Sequence, residues 1–341
     1  MYQPLRKFRA PAALSIVVLG LSLTFGWTAS VAQELHLDPT QVKGPDTCGE
    51  CHEVSVNMWK NSHHFTTFKD MPRSDKARDI AKKMGIKRVK SGSDCLSCHF
   101  TSMDEDGKVT PVAGITCESC HSAGANWIDV HSDFGGKDVK AENEAPAHKI
   151  ERYKKSEAAG MIRPSNIYGV AENCYSCHTV PNEKLVNEGG HPAGSKFELV
   201  AWSQGEVRHN KWYTDTNTEA SLDRRRVMFV VGKMLDLEYA YRGLAEATAK
   251  ATFAVKMAKR AKSASKDLAK IATASGLAEV KAVVTLAGGI KLKLNNKAAY
   301  LKAADTVAQN AKKVAAMDGG GLSAIDGLLP KSGDYKGTPS S

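Results

Sequence analysis

A chain of 341 residues has the length of one large or two ordinary domains. Its formal charge is +10, but the excess is local: residues 250–317 hold fourteen Lys/Arg against three Asp/Glu. All eight cysteines fall in one kind of motif, which excludes a structural disulfide framework.

Residues 1–32 read as an export leader. Arg6, Lys7 and Arg9 form a basic start, Leu14 to Trp27 is apolar and uncharged, and Ser30-Val31-Ala32 offers small residues for cleavage. Residues 33–215 then read as a cofactor-bearing domain. A short helix is expected from Glu50 to Lys69, carrying Trp59, His63, His64 and Phe68, and a basic helical piece from Lys76 to Lys90. Asp104 to Gly107 has turn chemistry. Clear strand alternation is scarce.

From 216 to 317 the texture becomes basic and helical. Ser221 or Thr218 is the expected N-cap, with Glu219 and Asp223 suited to the first turn. Val227, Val230, Met234, Leu237, Tyr241, Leu244, Thr248, Ala251, Val255 and Ala258 recur at steps of three and four, a heptad seam. It fits packing within the chain or an oligomeric coiled coil. Gly276 ends that helix, and a second stretch runs from Leu277 to Met317 with a break at Gly288-Gly289. Residues 318–341 read as a flexible tail.

The chemistry lies in four Cys-x-x-Cys-His units: Cys48/Cys51/His52, Cys95/Cys98/His99, Cys117/Cys120/His121 and Cys174/Cys177/His178. Such a unit attaches haem c: two thiols form thioethers with the porphyrin, and the next histidine ligates the iron. Cys95 to Cys120 also fits a zinc-ribbon spacing, but zinc does not explain a histidine after every pair. Four covalently bound haem c groups are therefore expected. Seven further histidines remain as candidate second axial ligands: His36, His63, His64, His131, His148, His191 and His209.

Around these motifs the chain resembles the tetrahaem cytochrome c-554 family, relatives of the electron acceptor for hydroxylamine oxidation. The carriers are Cys-Gly-Glu-Cys-His, Trp59-Lys60-Asn61-Ser62-His63-His64, Cys-Leu-Ser-Cys-His, and Gly114-Ile115-Thr116-Cys-Glu-Ser-Cys-His with His131 behind it. The resemblance implies that His64 caps the third haem and His131 the first. For the fourth it leaves two candidates, His191 in Gly-Gly-His-Pro and, slightly behind, His209. The family's second haem is five-coordinate, which would leave His99 alone unless His148 or His209 fills the site. Off the pattern by one residue, His63 is read as a propionate contact or an exposed side chain. The run Asp223-Arg-Arg-Arg-Val-Met-Phe-Val-Val-Gly is more similar to the C-terminal helix of the hydroxylamine oxidoreductase group.

The expected fold is mainly α, a multihaem cytochrome c fold with little strand, followed by a long helical hairpin or coiled-coil-like region. The expected function is periplasmic electron transfer between redox partner proteins through closely spaced bis-His haems. The alternative is an oxidoreductase acting on a small nitrogen or sulfur oxo-species at a five-coordinate haem. The expected location is the periplasm or the outer face of the cytoplasmic membrane. Further partners considered are an anionic membrane surface, met by the basic C-terminal helices, and a second copy of the chain; nucleic acid is excluded for an exported protein.

Overall fold

The computed structural model describes residues 36–91, 94–212 and 216–340; the leader read at 1–32 lies outside them. The described residues are mainly helical, with a single two-stranded sheet. α1 spans Pro45–Trp59 and α2 His63–Asp70, where the sequence suggested one helix from Glu50 to Lys69. Ser62 makes the break. It is extended, and its hydroxyl accepts from the Phe65 N–H to start α2. α3 (Asp75–Lys83) forms the front of the basic piece, and α4 (Leu96–His99) is one turn.

β1 (Thr101–Glu105) and β2 (Lys108–Ala113) then form an antiparallel hairpin. Asp106 and Gly107 both have positive φ, 55° and 80°, and Asp104 Oδ1 accepts from the Gly107 N–H at 2.8 Å. Two such residues match the right-handed twist of the strands they join. The short helices α5 (Glu118–His121), α6 (Ile128–Ser132), α7 (Pro146–Ala158), α8 (Ile167–His178), α9 (Glu183–Asn187) and α10 (Leu199–Ser203) complete the N-terminal part. Proline opens α1 and α7, where its missing N–H is not needed. Asn166 and Asn182 cap α8 and α9 with their side-chain oxygens.

Four longer helices follow: α11 (Leu222–Glu246), α12 (Thr252–Ser275), α13 (Ala278–Gly289) and α14 (Lys297–Ala315). Ser221 caps α11 through Arg224 N, and Gly276 in the left-handed conformation ends α12. α11 packs against α14, α12, α8 and α10 and is buried on most of its circumference. Val230, Met234, Leu237 and Tyr241 of the heptad seam are at most 1% exposed, inside this chain's own core. The same core takes Tyr168, Tyr175 and Phe197 from the N-terminal part and Leu268, Ile271, Val307 and Val314 from the C-terminal helices. Each such side chain contributes about 1.5–3 kcal/mol of burial, so the two parts share one hydrophobic interior.

Two differences from the sequence reading have physical causes. The seam does not continue through one helix to Ala258; the chain reverses at 247–251. The Glu183 carboxylate of α9 accepts from Thr248 N (2.9 Å), Thr248 Oγ1 (2.8 Å) and Ala249 N (3.2 Å), and Asn187 Oδ1 accepts from Phe253 N at 2.9 Å. Those bonds replace the helical ones lost at the turn. The tail is also packed. Leu322 and Ile325 are buried against α11 and α12, and Asp326 receives two hydrogen bonds, 2.6 and 2.7 Å, from the Arg226 guanidinium. Its Gly/Ser-rich composition concealed two apolar anchors. Among the described residues no helix is long and apolar enough to cross a membrane.

Candidate functional site

All four Cys-x-x-Cys-His units end on a helical turn. The first lies within α1, which bends at His52 (φ −110°, ψ 38°); the second, third and fourth finish α4, α5 and α8. A three-residue step on a helix puts both thiols on one face. The histidine next in sequence then stands beside them.

Each motif histidine faces one other histidine. Ring centroids are 6.3 Å apart for His52–His131, 6.3 Å for His99–His191, 6.4 Å for His121–His209 and 6.3 Å for His178–His64. These distances are too long for stacking contact or a ring-to-ring hydrogen bond, and they repeat to within 0.1 Å in four unrelated local settings. His131 faces His52, as the resemblance implies. His64 instead faces His178 of the fourth motif, His209 faces His121 of the third, and His191 faces His99 of the second. The three remaining histidines are engaged elsewhere. His36 Nε2 bonds Ser119 O at 2.9 Å, exposed His63 meets Glu206 at 2.6 Å, and His148 meets Glu144 at 2.7 Å.

Several rings are oriented through Nδ1. The partners are Ile162 O for His121 (2.8 Å), Ile128 O for His131, Pro192 O for His191 (2.9 Å), Val207 O for His209 (2.8 Å) and Ser195 Oγ for His178 (3.2 Å). A carbonyl partner requires Nδ1 to carry the proton, which leaves the Nε2 lone pair for a metal. Burial, the largest cause, lowers the pKa of His52, His64, His121 and His131 and takes His99 and His178 to about 4, with neighbouring histidines adding to the shift in both. The rings are thus held neutral, the form that ligates.

The eight cysteines and all eight paired histidines line one continuous cavity of about 1580 Å³. The motifs adjoin in pairs. The Cys48 thiol lies beside that of Cys117, and the Cys98 thiol beside that of Cys177, whose Sγ also points at Ser97 O of the second motif at 4.0 Å; the mutual interaction raises Cys48 and Cys98 and lowers Cys117 and Cys177. First and third motifs are therefore neighbours, as are second and fourth. Third and fourth touch through Asn173 Nδ2, which donates to Cys120 O at 3.0 Å. The motifs consequently run in the spatial order first, third, fourth, second. Among the described residues no three metal-ligating side chains, the four cysteines from Cys95 to Cys120 included, come together as a zinc site would require.

The cavity wall suits a large, flat, acid-bearing group. Phe197 stacks on the His178 ring at 4.6 Å, and Trp202 and Trp127 meet His178 and His131 edge-on at 5.0 and 5.2 Å. The indole N–H groups of Trp127 and Trp202 and the Nε–H of Arg208 are buried with no acceptor in the protein. Such orphans cost about 1–3 kcal/mol each, which carboxylates of a bound group would recover. Sequence reasoning missed these donors, and it missed Glu118. Inside the third motif, that carboxylate is 1% exposed and accepts from Lys43 N (2.9 Å), Gly44 N (2.9 Å) and Gly124 N (2.7 Å). It ties the start of α1 to the third motif. An acid between two cysteines was the signal, but its partners are backbone groups that no side-chain pattern reveals.

Residues 47–122 match the family described as cytochrome c554 and c-prime. Over 171 residues the chain is 24% identical to cytochrome c-554 of Nitrosomonas europaea, an alignment covering 48% of this chain and 68% of that protein. No solved structure matches the chain.

Proposed function

We propose, taking the chain as a c-type cytochrome of the c-554 family through residues 47–122, that it is an exported tetrahaem electron carrier with two histidines at every iron. The four histidine pairs carry this reading. Two facing imidazoles that shared one metal through Nε2, with metal–nitrogen bonds of about 2.0 Å, would hold their ring centroids roughly 6.3 Å apart. The observed separations are 6.3 to 6.4 Å. On this reading the ligand pairs are His52/His131, His99/His191, His121/His209 and His178/His64, and the eight cysteines hold four covalent haem c groups.

Haem c at such sites supplies a one-electron carrier whose iron changes charge without changing ligands. The chain's own residues supply the rest. The carbonyls of Ile162, Ile128, Pro192 and Val207 fix ring tautomers and orientation. Trp127, Trp202 and Arg208 offer donors to the propionates. The motif order first, third, fourth, second makes a row whose ends are the first and second sites. With haem bound, His191 facing His99 would occupy the position at which a substrate would otherwise bind, which favours a carrier over an oxidoreductase.

A redox-poised titration followed by absorption and EPR tests this. The expected result is four haems per chain, all low-spin when ferric, with no CO adduct after reduction. A high-spin signal from a quarter of the iron would overturn the bis-histidine reading and reopen the catalytic one.

A further inference from the structure

The two ends of the row differ in charge. Residues 71–90 carry eight Lys/Arg and two Asp. They wall the second site: Ala81 and Val89 share a small core with Cys95, Leu96 and Phe100, and Met71, Lys76, Ala77 and Ile80 line the cavity. Gly189 and Gly190, just before His191, lie against Met84 and Lys83. Lys82, Lys83, Lys87 and Arg88 are exposed, and exposed Lys256 of α12 borders the hollow behind His191. His191 lines that hollow as well as the main cavity, so this end of the row has a second opening beside basic residues.

At the opposite end the ligand-bearing helices α1 and α6 present acids, with Lys149 and Arg152 of α7 standing behind His131. α1, which carries the first site, has Asp46, Glu50 and Glu53 and no Lys or Arg; α6, which carries His131, has Asp129, with Asp133 just beyond it. All five acids are exposed. A field divided in this way orients a charged partner before contact and speeds productive encounter about 10- to 1000-fold at low salt.

We infer that the basic wall around His99 and His191 is the docking surface for an acidic redox protein, which exchanges electrons with the chain at the second site. The inference rests on the carrier reading above. A lipid surface is the poorer fit, because the basic residues wrap an electron site rather than flank an apolar face. A soluble acidic protein satisfies both charge and purpose.

Stopped-flow oxidation of the fully reduced holoprotein tests it, with acidic plastocyanin, basic mitochondrial cytochrome c and a neutral benzoquinone as acceptors. The expected rate with plastocyanin falls steeply between low and high ionic strength. It drops at least tenfold at low salt in the Lys82→Glu/Lys87→Glu/Arg88→Glu variant and is unchanged in Asp46→Asn/Glu53→Gln. Oxidation by benzoquinone is equal in all three proteins. Plastocyanin rates within twofold of the parent in the triple variant would overturn the docking surface. So would loss of binding to phosphatidylserine vesicles by that variant with plastocyanin rates intact, which would make the patch a membrane contact. If the parent protein fails to reduce even benzoquinone, the carrier reading falls instead.

Discussion

Replacing His64 by alanine separates the pairing seen in the structure from the one implied by family resemblance. The His64 ring stands 6.3 Å from His178, and the neighbouring His63 points outward, 87% exposed, to Glu206. With His63 turned outward, His64→Ala opens one site in four on the bis-histidine reading. A quarter of the ferric iron should become high-spin, and the reduced protein should bind one CO per chain. α2 should persist, because Ser62 still caps it and alanine is the better helix former. The site is identified in a Cys174→Ser/Cys177→Ser background, in which the fourth haem is not attached. There His64→Ala should change nothing in the EPR spectrum. A new high-spin signal in that background would assign His64 to the third motif and refute the reasoning from ring geometry.

Gly114→Ala would place a Cβ 2.1 Å from the His64 carbonyl oxygen, which also accepts from Ile115 N at 2.9 Å. It should cost about 1–3 kcal/mol in denaturant unfolding and broaden the low-spin EPR of the fourth site. Leu268→Ala, at 0% exposure between α12 and α11, should cost about 2–5 kcal/mol while leaving the haem spectrum intact. The Glu144 carboxyl is held down to about 2 by the Arg152 guanidinium, aided by His148, with its ordinary value at 4.5. A depressed acid stabilises fully above its unfolded pKa, and that contribution is lost as pH falls through the folded one. Glu144→Gln should therefore weaken the protein at pH 6 and by less at pH 3, with the difference vanishing only below about pH 2 in urea melts.

Local chemistry was legible in the sequence. The four Cys-x-x-Cys-His motifs, the Ser221 and Gly276 helix ends, the Asp104–Gly107 turn and the Gly288-Gly289 break all follow from residue type and spacing. Of the pairings that the resemblance implies, only His131 with His52 is among the four ring pairs seen in the structure. Which histidine meets which depends on how α2, the Gly190–Pro192 strap and the loop at His209 are carried over the motifs. That is decided by distant contacts such as Ile115 N to His64 O, not by distance along the chain. The same holds for the reversal at 247–251. Periodicity continued through it, and the side chains of Glu183 and Asn187, more than sixty residues upstream, hold the reversal.

That reversal bears on whether the C-terminal helices form a transplantable module. α12 has no side chain of its own to cap its first turn; Asn187 does that work from the N-terminal part, and Glu183 holds the reversal just before it. Cut away from residue 216 onward, the helices would lose those bonds and expose the face that Tyr175 and Phe197 cover. The remainder would keep a carboxylate with three donors missing. The seam between haem-bearing and basic regions is visible in composition but not in cooperativity, and a graft or truncation drawn there would divide a single folding unit.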